Sequence, residues 1–444
     1  MGSRFDTREL SDFARFYGFH YESLDAGSLA REILVEMERG LCGAESILPM
    51  IPSYIAPEAG ARAGRTVLAL DAGGTNLRAC LVRFDSGGRA VAQAEATRRA
   101  MPGSAGRVGA EAFFDEIADA AIEALGPDGR AEGIGFTFSY HIDMRPDSDG
   151  VLMGFSKEID APEVVGRAIG ASLREALARR GRAFDGPIAL LNDTAATLLS
   201  GVAENDAPGP TIGFILGTGF NTAYPETRIP KIGFESREAP QIVVCETGAF
   251  RLKYRGSLDL EFDAGTKTPG AYALEKSISG AYLGPLTALA LKKAALDGLI
   301  KVRAQDRLLA LEGVDSREMN AFLGGQGEEA SLRGIFAPDE LEAAASARYI
   351  ASILTERAAL ISVATLAATV RRIERSQAHN AMAPGARTLI AVEGTTYMAY
   401  EGMRRALDAR LHALLTGKRP HPYAIRPVSA ASLFGAAVAA ATLL

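Results

Sequence analysis

The feature that most constrains the fold is a glycine-rich turn between two short apolar runs, which occurs twice in the chain. In "LALDAGGTNLRACLV", residues 68–82, each run is long enough for a strand and the gap is too short for a helix. The runs are therefore predicted to pair as an antiparallel hairpin. "PTIGFILGTGFNTAYPE", residues 210–226, has the same plan, and the two turns end at Asn76 and Asn221. The repeat predicts two related lobes that each offer a hairpin tip to a shared cleft, although glycine-rich hairpin turns are also common on their own.

Strand and helix patterns alternate along the rest of the chain, which predicts α/β architecture. Apolar residues at helical spacing predict helices within 7–49 and 110–126. Strand, turn and helix follow one another in "GPIALLNDTAATLLSG" (186–201) and in "ARTLIAVEGTTYMAYEGMRRAL" (386–407). The remaining predicted elements are a strand in 132–140, long helices in 270–296 and 347–373, and a buried, alanine-rich helix in 432–444.

The composition argues against several classes of partner. The formal net charge is −6 and no run of basic residues stands out, so neither nucleic acid nor an anionic membrane is an expected partner. Cys42, Cys80 and Cys245 lie far apart without metal-ligand spacing, and an odd number of cysteines argues against a disulfide framework. The first residues are polar and lack the apolar core of a signal peptide. We therefore expect a cytoplasmic protein, and its oligomeric state is left open.

The two glycine-rich tips have the composition of a phosphate-binding site. Glycines allow the backbone to approach a ligand closely, and successive N–H groups in such a turn form an anion-binding concavity. Neither common nucleotide motif fits, because no lysine follows the glycines and the next element is a strand rather than a helix. Asp71, at the end of the first strand, is suited to holding Mg²⁺ through water, since hard cations favour oxygen ligands. The alternative for Asp71 is an ordinary turn aspartate.

A second acidic position lies in "LLNDTAATLLSG", where Asp193 follows an apolar strand and opens a helix. One interpretation is a helix N-cap, for which Asn and Asp are both favoured. That role suits either Asn192 or Asp193, but not readily both. The other interpretation is a general base held at the floor of a cleft, because α/β folds place their chemistry at the carboxyl ends of strands.

Taken together, these motifs resemble those of the hexokinase family among the actin-like sugar kinases. "LALDAGGTNLR" and "LGTGFNTAYPE" resemble its two phosphate loops, "GFTFSY" its sugar-segment strand and "LLNDTAATL" its catalytic-aspartate segment. "ETGAF" and "LEKSISGAYLG" resemble its sugar-binding glutamate motifs, "IAVEGTTY" its adenosine motif and "SLFGAAVAAA" its closing helix. The motifs occur in the family's order. The resemblance implies a duplicated, two-lobed actin-like (ribonuclease H-like) α/β fold, with a small lobe of residues 63–195 and 428–444 and a large lobe of residues 1–62 and 196–427.

The resemblance also implies a reaction, the transfer of a phosphoryl group from ATP to the 6-hydroxyl of a hexose, with glucose as the first candidate. Asp193 would take the proton from that hydroxyl, and Mg²⁺ would accompany ATP, held by Asp71 through water. The residues that the resemblance assigns to the sugar are Ser139, Ser156, Lys157, Asn192, Asp193, Asn221, Glu246 and Glu275. Those that it assigns to ATP are Asp71, Gly73, Gly74, Thr75, Asn76, Arg78, Gly217, Thr218, Gly219, Gly394 and Thr395. On local pattern alone, Lys157 would be a solvated lysine and Glu275 would form a surface pair with Lys276.

The sequence departs from the family pattern on the sugar side. Tyr140 and His141 stand where the family has Phe-Pro, and Glu158 replaces a glycine. Val244 and Thr247 replace the Asn and Trp of the first glutamate motif. These departures leave open mannose, fructose or a non-hexose as the substrate. They also leave open a sugar-sensing binding protein that lacks turnover, or another member of the superfamily such as a phosphatase or a chaperone-like ATPase.

Overall fold

The computed structural model describes residues 7–57, 62–74, 76–155, 159–204, 209–236, 239–324, 332–376, 386–417 and 420–444. The strands are β1 (Ile51–Pro52), β2 (Thr66–Gly73), β3 (Asn76–Phe84), β4 (Ala90–Ala92), β5 (Thr97–Ala100), β6 (Gly133–Phe138), β7 (His141–Met144), β8 (Gly150–Gly154), β9 (Ile188–Leu191), β10 (Thr211–Leu216), β11 (Phe220–Glu226), β12 (Arg228–Ile229), β13 (Phe234–Glu235), β14 (Gln241–Val244), β15 (Thr388–Glu393) and β16 (Tyr423–Pro427). The helices are α1 (Thr7–Phe16), α2 (Ala26–Leu41), α3 (Ala110–Leu125), α4 (Ile169–Arg179), α5 (Asp193–Ala203), α6 (Ser257–Ala264), α7 (Ala273–Lys276), α8 (Gly280–Leu296), α9 (Gln305–Leu309), α10 (Ser316–Leu323), α11 (Leu341–Ser376), α12 (Thr395–Ala399), α13 (Glu401–Leu415) and α14 (Ala431–Thr442).

The first sheet is built on the predicted hairpin of residues 68–82. β2 and β3 pair antiparallel in unbroken register from Thr66 opposite Arg83 to Gly73 opposite Asn76. β6 and β9 then add in parallel on the other side of β2, so that the order is β4-β3-β2-β6-β9, with β5 also paired to β3. β6 and β9 are buried along their whole length, as is typical of parallel strands that are covered on both faces.

The second sheet repeats this arrangement around the second hairpin. β10 and β11 pair antiparallel, and β15 and β16 add in parallel beyond β10, in the order β1-β14-β11-β10-β15-β16. In both sheets, therefore, a hairpin is followed on the side of its first strand by two parallel strands. The prediction of an internally duplicated α/β fold is confirmed.

The segment 270–296 differs from its prediction as one long helix. Tyr272 has a left-handed backbone (φ 52°), α7 covers only Ala273–Lys276, and a new helix, α8, begins at Gly280. The break has a polar cause, because the Gly280 N–H donates to the Gly217 carbonyl (2.7 Å) rather than to a carbonyl of α7. The interruption joins α8 to the second hairpin tip.

Two helices lie between the sheets and hold them together. α14 packs on β2, β6 and β9 of the first sheet and on α5, which in turn contacts β10, β11 and β15 of the second sheet. The packing is close, since a Cβ on Gly435 would lie 2.0 Å from the Ala196 carbonyl oxygen, and one on Gly135 would lie 1.8 Å from that of Ala436. The predicted buried helix in 432–444 is thus confirmed. The lobe boundaries near residues 62, 195 and 427 remain predictions.

The longest helix, α11, forms the centre of the core beside the second sheet. In the part of the chain that the structure describes, it is the one helix that is long and apolar enough to cross a membrane, but 89% of its most apolar stretch is buried inside the fold. α2, α8 and α13 pack around it. A helix that is apolar on all sides is expected to be buried in this way.

Candidate active site

Asp193 lies at the first position of α5, directly after β9. Asn192 is the N-cap of the helix, and its side-chain oxygen accepts a hydrogen bond from the Thr194 N–H (2.7 Å). The capping role therefore belongs to Asn192 and not to Asp193. The Thr194 hydroxyl donates to Asp193 Oδ1 (3.1 Å) and helps to orient it.

Three further residues predicted for the sugar lie together beside β11. The Asn221 side-chain oxygen accepts from the Thr222 N–H (2.8 Å), so its NH₂ group is turned toward Glu246, to whose Oε1 it donates (2.7 Å). Glu275 Oε2 accepts from the Phe220 N–H (3.0 Å). A Cβ on Gly219 or Gly248 would lie 3.1 or 3.2 Å from this oxygen. The two glycines thus give the carboxylate its space.

Burial and neighbouring negative charge raise the pKa of two carboxyl groups in this group, Glu246 and Glu275. Burial, followed by the negative charges of Asp193 and Glu275, raises the pKa of Glu246 to about 7, against the Asn221 hydrogen bond, which lowers it. Burial and the Asp193 charge also raise the pKa of Glu275. Glu246 has a left-handed backbone (φ 56°). Strain of this kind in a non-glycine residue persists only where the surroundings impose it, and it is common at functional sites.

The first hairpin tip carries a charged pair at its base. Asp71, whose side chain is 4% exposed, accepts at Oδ2 from Arg78 Nε (2.8 Å), from Arg78 Nη2 and from the Ser432 hydroxyl (3.0 Å). Arg78 also donates to Ser432 (2.9 Å). Arg78 and the start of α14 therefore fix Asp71 in place at the end of β2. Asn76 is exposed, opposite Gly73 in the β2–β3 register.

The second hairpin tip meets the start of α12. The Gly217 carbonyl accepts from the Thr396 hydroxyl (2.9 Å), and a Cβ on Gly217 would lie 3.1 Å from Gly394 Cα. Gly394 has φ +126°, and Thr395 is exposed at the start of the helix. Within the described ranges, the N–H groups of Thr218 and Gly219 make no hydrogen bond. This tip therefore presents adjacent open donors, which is what a phosphate group requires.

Not every predicted residue can be placed. Thr75, Ser156 and Lys157 lie outside the described residues. Ser139 lies beside the first tip, where its N–H donates to the Ala72 carbonyl (3.1 Å). Among the described residues, no group of three or more His, Cys, Asp and Glu side chains could hold a metal ion by itself.

One residue of this cleft, Glu393 at the end of β15, is absent from the sequence prediction. Burial, followed by the charge of Asp193, raises its pKa to about 7, with Asp71 adding to the rise and Arg78 opposing it. The Thr197 hydroxyl lies 3.3 Å from Glu393 Oε2 and 2.9 Å from the Asp193 carbonyl. The Thr197 hydroxyl donates to Glu393 Oε2, and this bond lowers the pKa of Glu393 against the effect of burial. The sequence signal was a lone glutamate that ends an apolar strand before a glycine.

Comparison with known proteins identifies the family. Two profiles described as "Hexokinase" match residues 14–203 and 211–442. The chain belongs to the hexokinase family. It is accordingly an enzyme of the sugar-kinase class, and the family predicted from the motifs is confirmed.

Individual relatives are similar along most of the chain. Hexokinase-2 of Candida albicans is 28% identical over 440 residues, which cover 93% of this chain and 88% of that protein. Human hexokinase-2 is 28% identical over 407 residues, or 88% of this chain, but the chain spans only 44% of the length of that relative. Hexokinase-5 of rice is 29% identical over 92% of this chain and 85% of that protein.

Solved structures agree in fold. A crystal structure of a hexokinase superimposes with a TM-score of 0.80 at 23% identity, covering 98% of this chain and all of that one. A Schistosoma mansoni hexokinase in complex with glucose gives a TM-score of 0.75 at 23% identity and covers 98% of this chain and 99% of that one. The two-lobed architecture of the hexokinases is therefore also that of this chain.

Proposed function

We propose that the protein transfers the γ-phosphoryl group of ATP to the 6-hydroxyl of a hexose, with glucose as the first candidate and Asp193 as the general base. The observation that carries the proposal is the position of Asp193. It stands at the start of α5, where its charge raises the pKa of Glu246, of Glu275 and of Glu393. A hydroxyl that reaches Asp193 would lie between a polar pocket and the two hairpin tips.

The polar pocket has the chemistry of a sugar site. Ionised carboxylates only accept hydrogen bonds, so Glu246 and Glu275 suit the hydroxyl protons of a pyranose. Side-chain amides both donate and accept, so Asn221 and Asn192 suit either the oxygen or the proton of a sugar hydroxyl. The contacts that already hold these side chains limit the orientations open to a ligand. Such a site rejects an analogue that lacks a hydroxyl more strongly than one with an added methylene, because a missing hydroxyl leaves a buried polar group unpaired.

The hairpin tips have the chemistry of a phosphate site. The open N–H groups of Thr218 and Gly219 would donate to phosphate oxygens, and Arg78 compensates the charge of Asp71. An Mg²⁺ ion bound with ATP would neutralise the charge that develops on the phosphoryl oxygens. The protein's own contribution to phosphoryl transfer would be positioning and charge stabilisation, together with proton removal by Asp193, which supplies about 10²–10⁴-fold.

A sugar-sensing protein without turnover is the rival that the sequence departures raise. Val244 is 3% exposed and Thr247 is fully buried. Val244 pairs within the sheet with Ala223, and the Thr247 hydroxyl faces that of Thr222 (3.5 Å). Both replacement side chains are thus packed inside the fold, and Glu246 keeps its hydrogen bond to Asn221. An intact sugar pocket is expected of both candidates; the presence of Asp193 and of the two glycine-rich tips is what favours the enzyme.

The test is sugar-dependent release of ADP, measured in a coupled assay against glucose, mannose, fructose and a non-hexose polyol. Asp193→Asn should bind sugar normally and lose about 10²–10⁴-fold in kcat. Asp315→Asn, at the N-cap of α10, is the matched control and should keep full activity. Near-full turnover by Asp193→Asn would remove Asp193 as the base. Sugar binding by the unaltered protein without ADP release would favour the rival.

A further inference from the structure

Tyr140 joins the sugar-side strand to the first hairpin tip. It follows β6 directly after Ser139, and its hydroxyl donates to the carbonyl oxygen of Gly74 at 2.8 Å. The Ser139 N–H donates to the Ala72 carbonyl (3.1 Å) beside it. Ser139 and Tyr140, which follow β6, therefore bind the carbonyl groups of Ala72 and Gly74 at the first hairpin.

The Tyr140 ring is fixed by its packing. It is 7% exposed and makes edge-on contacts with Phe138 (4.8 Å between ring centroids) and Phe155 (5.0 Å). Burial, with a smaller effect of the Asp71 charge, raises the pKa of the phenol well above its ordinary value of 10. The hydroxyl stays protonated at every working pH and remains a donor to Gly74.

The bond fixes the orientation of the Gly74 carbonyl. Gly74 has a positive φ (69°), a conformation open to glycine that can also flip between alternatives. A turn binds an anion only when its N–H groups point at the ligand and its carbonyls point away. A carbonyl oxygen that turned toward the phosphates would repel them. Tyr140 keeps the Gly74 carbonyl on the strand side.

We propose that Tyr140 is a positioning residue for the nucleotide: its hydroxyl holds the Gly74 carbonyl of the first hairpin tip away from the phosphates of MgATP. The kinetic test of this inference rests on the proposed function. Its binding test, with MgADP, requires only that the protein binds nucleotide. The inference concerns a position at which this chain departs from the family pattern, so it is a property of this protein.

The test is Tyr140→Phe, which deletes one oxygen and keeps the ring packing. Loss of one hydrogen bond of ordinary strength should raise the KM for MgATP by about 2- to 12-fold, while the KM for the sugar stays unchanged. Calorimetric titration with MgADP should show a rise in Kd by the same factor. Tyr224→Phe is the matched control, because Tyr224 is also buried and donates one hydrogen bond at 2.8 Å, to Glu226 in the core beside the second sheet. It should leave both nucleotide constants unchanged.

The outcomes separate this proposal from the proposed function. An unchanged Kd for MgADP and an unchanged KM for MgATP in Tyr140→Phe would overturn the positioning role, as would equal rises in the KM for nucleotide and for sugar, which indicate a merely structural effect. If the unaltered protein releases no ADP with any sugar but binds MgADP, and Tyr140→Phe weakens that binding, the proposed function fails and the positioning role holds. If the unaltered protein does not bind MgADP, both fail.

Discussion

Glu393 offers a sharp test of the electrostatics of the cleft, because its charge is opposed by burial and by two neighbouring aspartates. Glu393→Gln replaces the carboxylate with a neutral group of the same shape. The glutamine side-chain oxygen can accept from the Thr197 hydroxyl as the carboxylate does, so the contact with Thr197 is kept. The substitution therefore isolates the cost of the buried charge.

The magnitude follows from the pKa of Glu393, which rises from 4.5 to about 7 on folding. At about 1.36 kcal/mol per pKa unit, ionised Glu393 destabilises the folded protein by about 3 kcal/mol. Between pH 4.5 and pH 7 the folded state holds more protons than the unfolded state, so the free energy of unfolding falls as pH rises through this window. Glu393→Gln has no such group. We therefore expect its stability advantage over the unaltered protein, measured as unfolding free energy, to be larger at pH 8 than at pH 5 by about 2–3 kcal/mol.

Urea unfolding of both proteins at pH 5 and pH 8 measures this difference. Glu45→Gln is the matched control, since Glu45 is exposed and an exposed side chain of this kind contributes little. A stability difference between Glu393→Gln and the unaltered protein that is the same at both pH values would refute the reasoning. It would mean that Glu393 reaches solvent or a counter-charge in the folded protein.

Two further predictions concern the backbone of the site. In Gly394→Ala, the new Cβ would lie 2.3 Å from the Leu216 carbonyl oxygen at φ +126°, so we expect a loss of about 1–3 kcal/mol in unfolding free energy and weaker MgADP binding; Gly27→Ala, whose Cβ would make ordinary contacts, should do neither. Asn192→Ala removes the cap of α5 and should cost about 0.5–2 kcal/mol, whereas Asn192→Ser keeps a capping oxygen and should recover most of it. Equal melting temperatures for Asn192→Ala and Asn192→Ser would contradict the capping role.

The hairpins were predictable because they are local. The pairing of β2 with β3, and of β10 with β11, is specified by turns of a few residues between apolar runs. The Asn192–Asp193 pair was also readable, and the structure decided which residue is the cap through one hydrogen bond to Thr194. Local patterns of this kind predict whether a segment forms a helix or a strand. They do not predict which distant residues that element packs against.

The parts that sequence could not predict depend on distant pairing. Glu393 reaches the surroundings of Asp193 only because β15 adds in parallel beside β10. The residue pattern of β15 does not indicate that β10 is its partner. The break between α7 and α8 has the same origin, since the Gly217 carbonyl, far away in sequence, takes the Gly280 N–H. A helical pattern over 270–296 contains no sign of that competing acceptor.

The position of α14 has a consequence for synthesis. The strands of the first sheet are complete at Leu191, but the helix that covers one face of β2, β6 and β9 begins only at Ala431. At translation rates of about 5–20 residues per second, that apolar face waits for roughly 10–50 s before its cover leaves the ribosome. Nascent chains that stall in this interval should be the species that chaperones capture and that aggregate most readily.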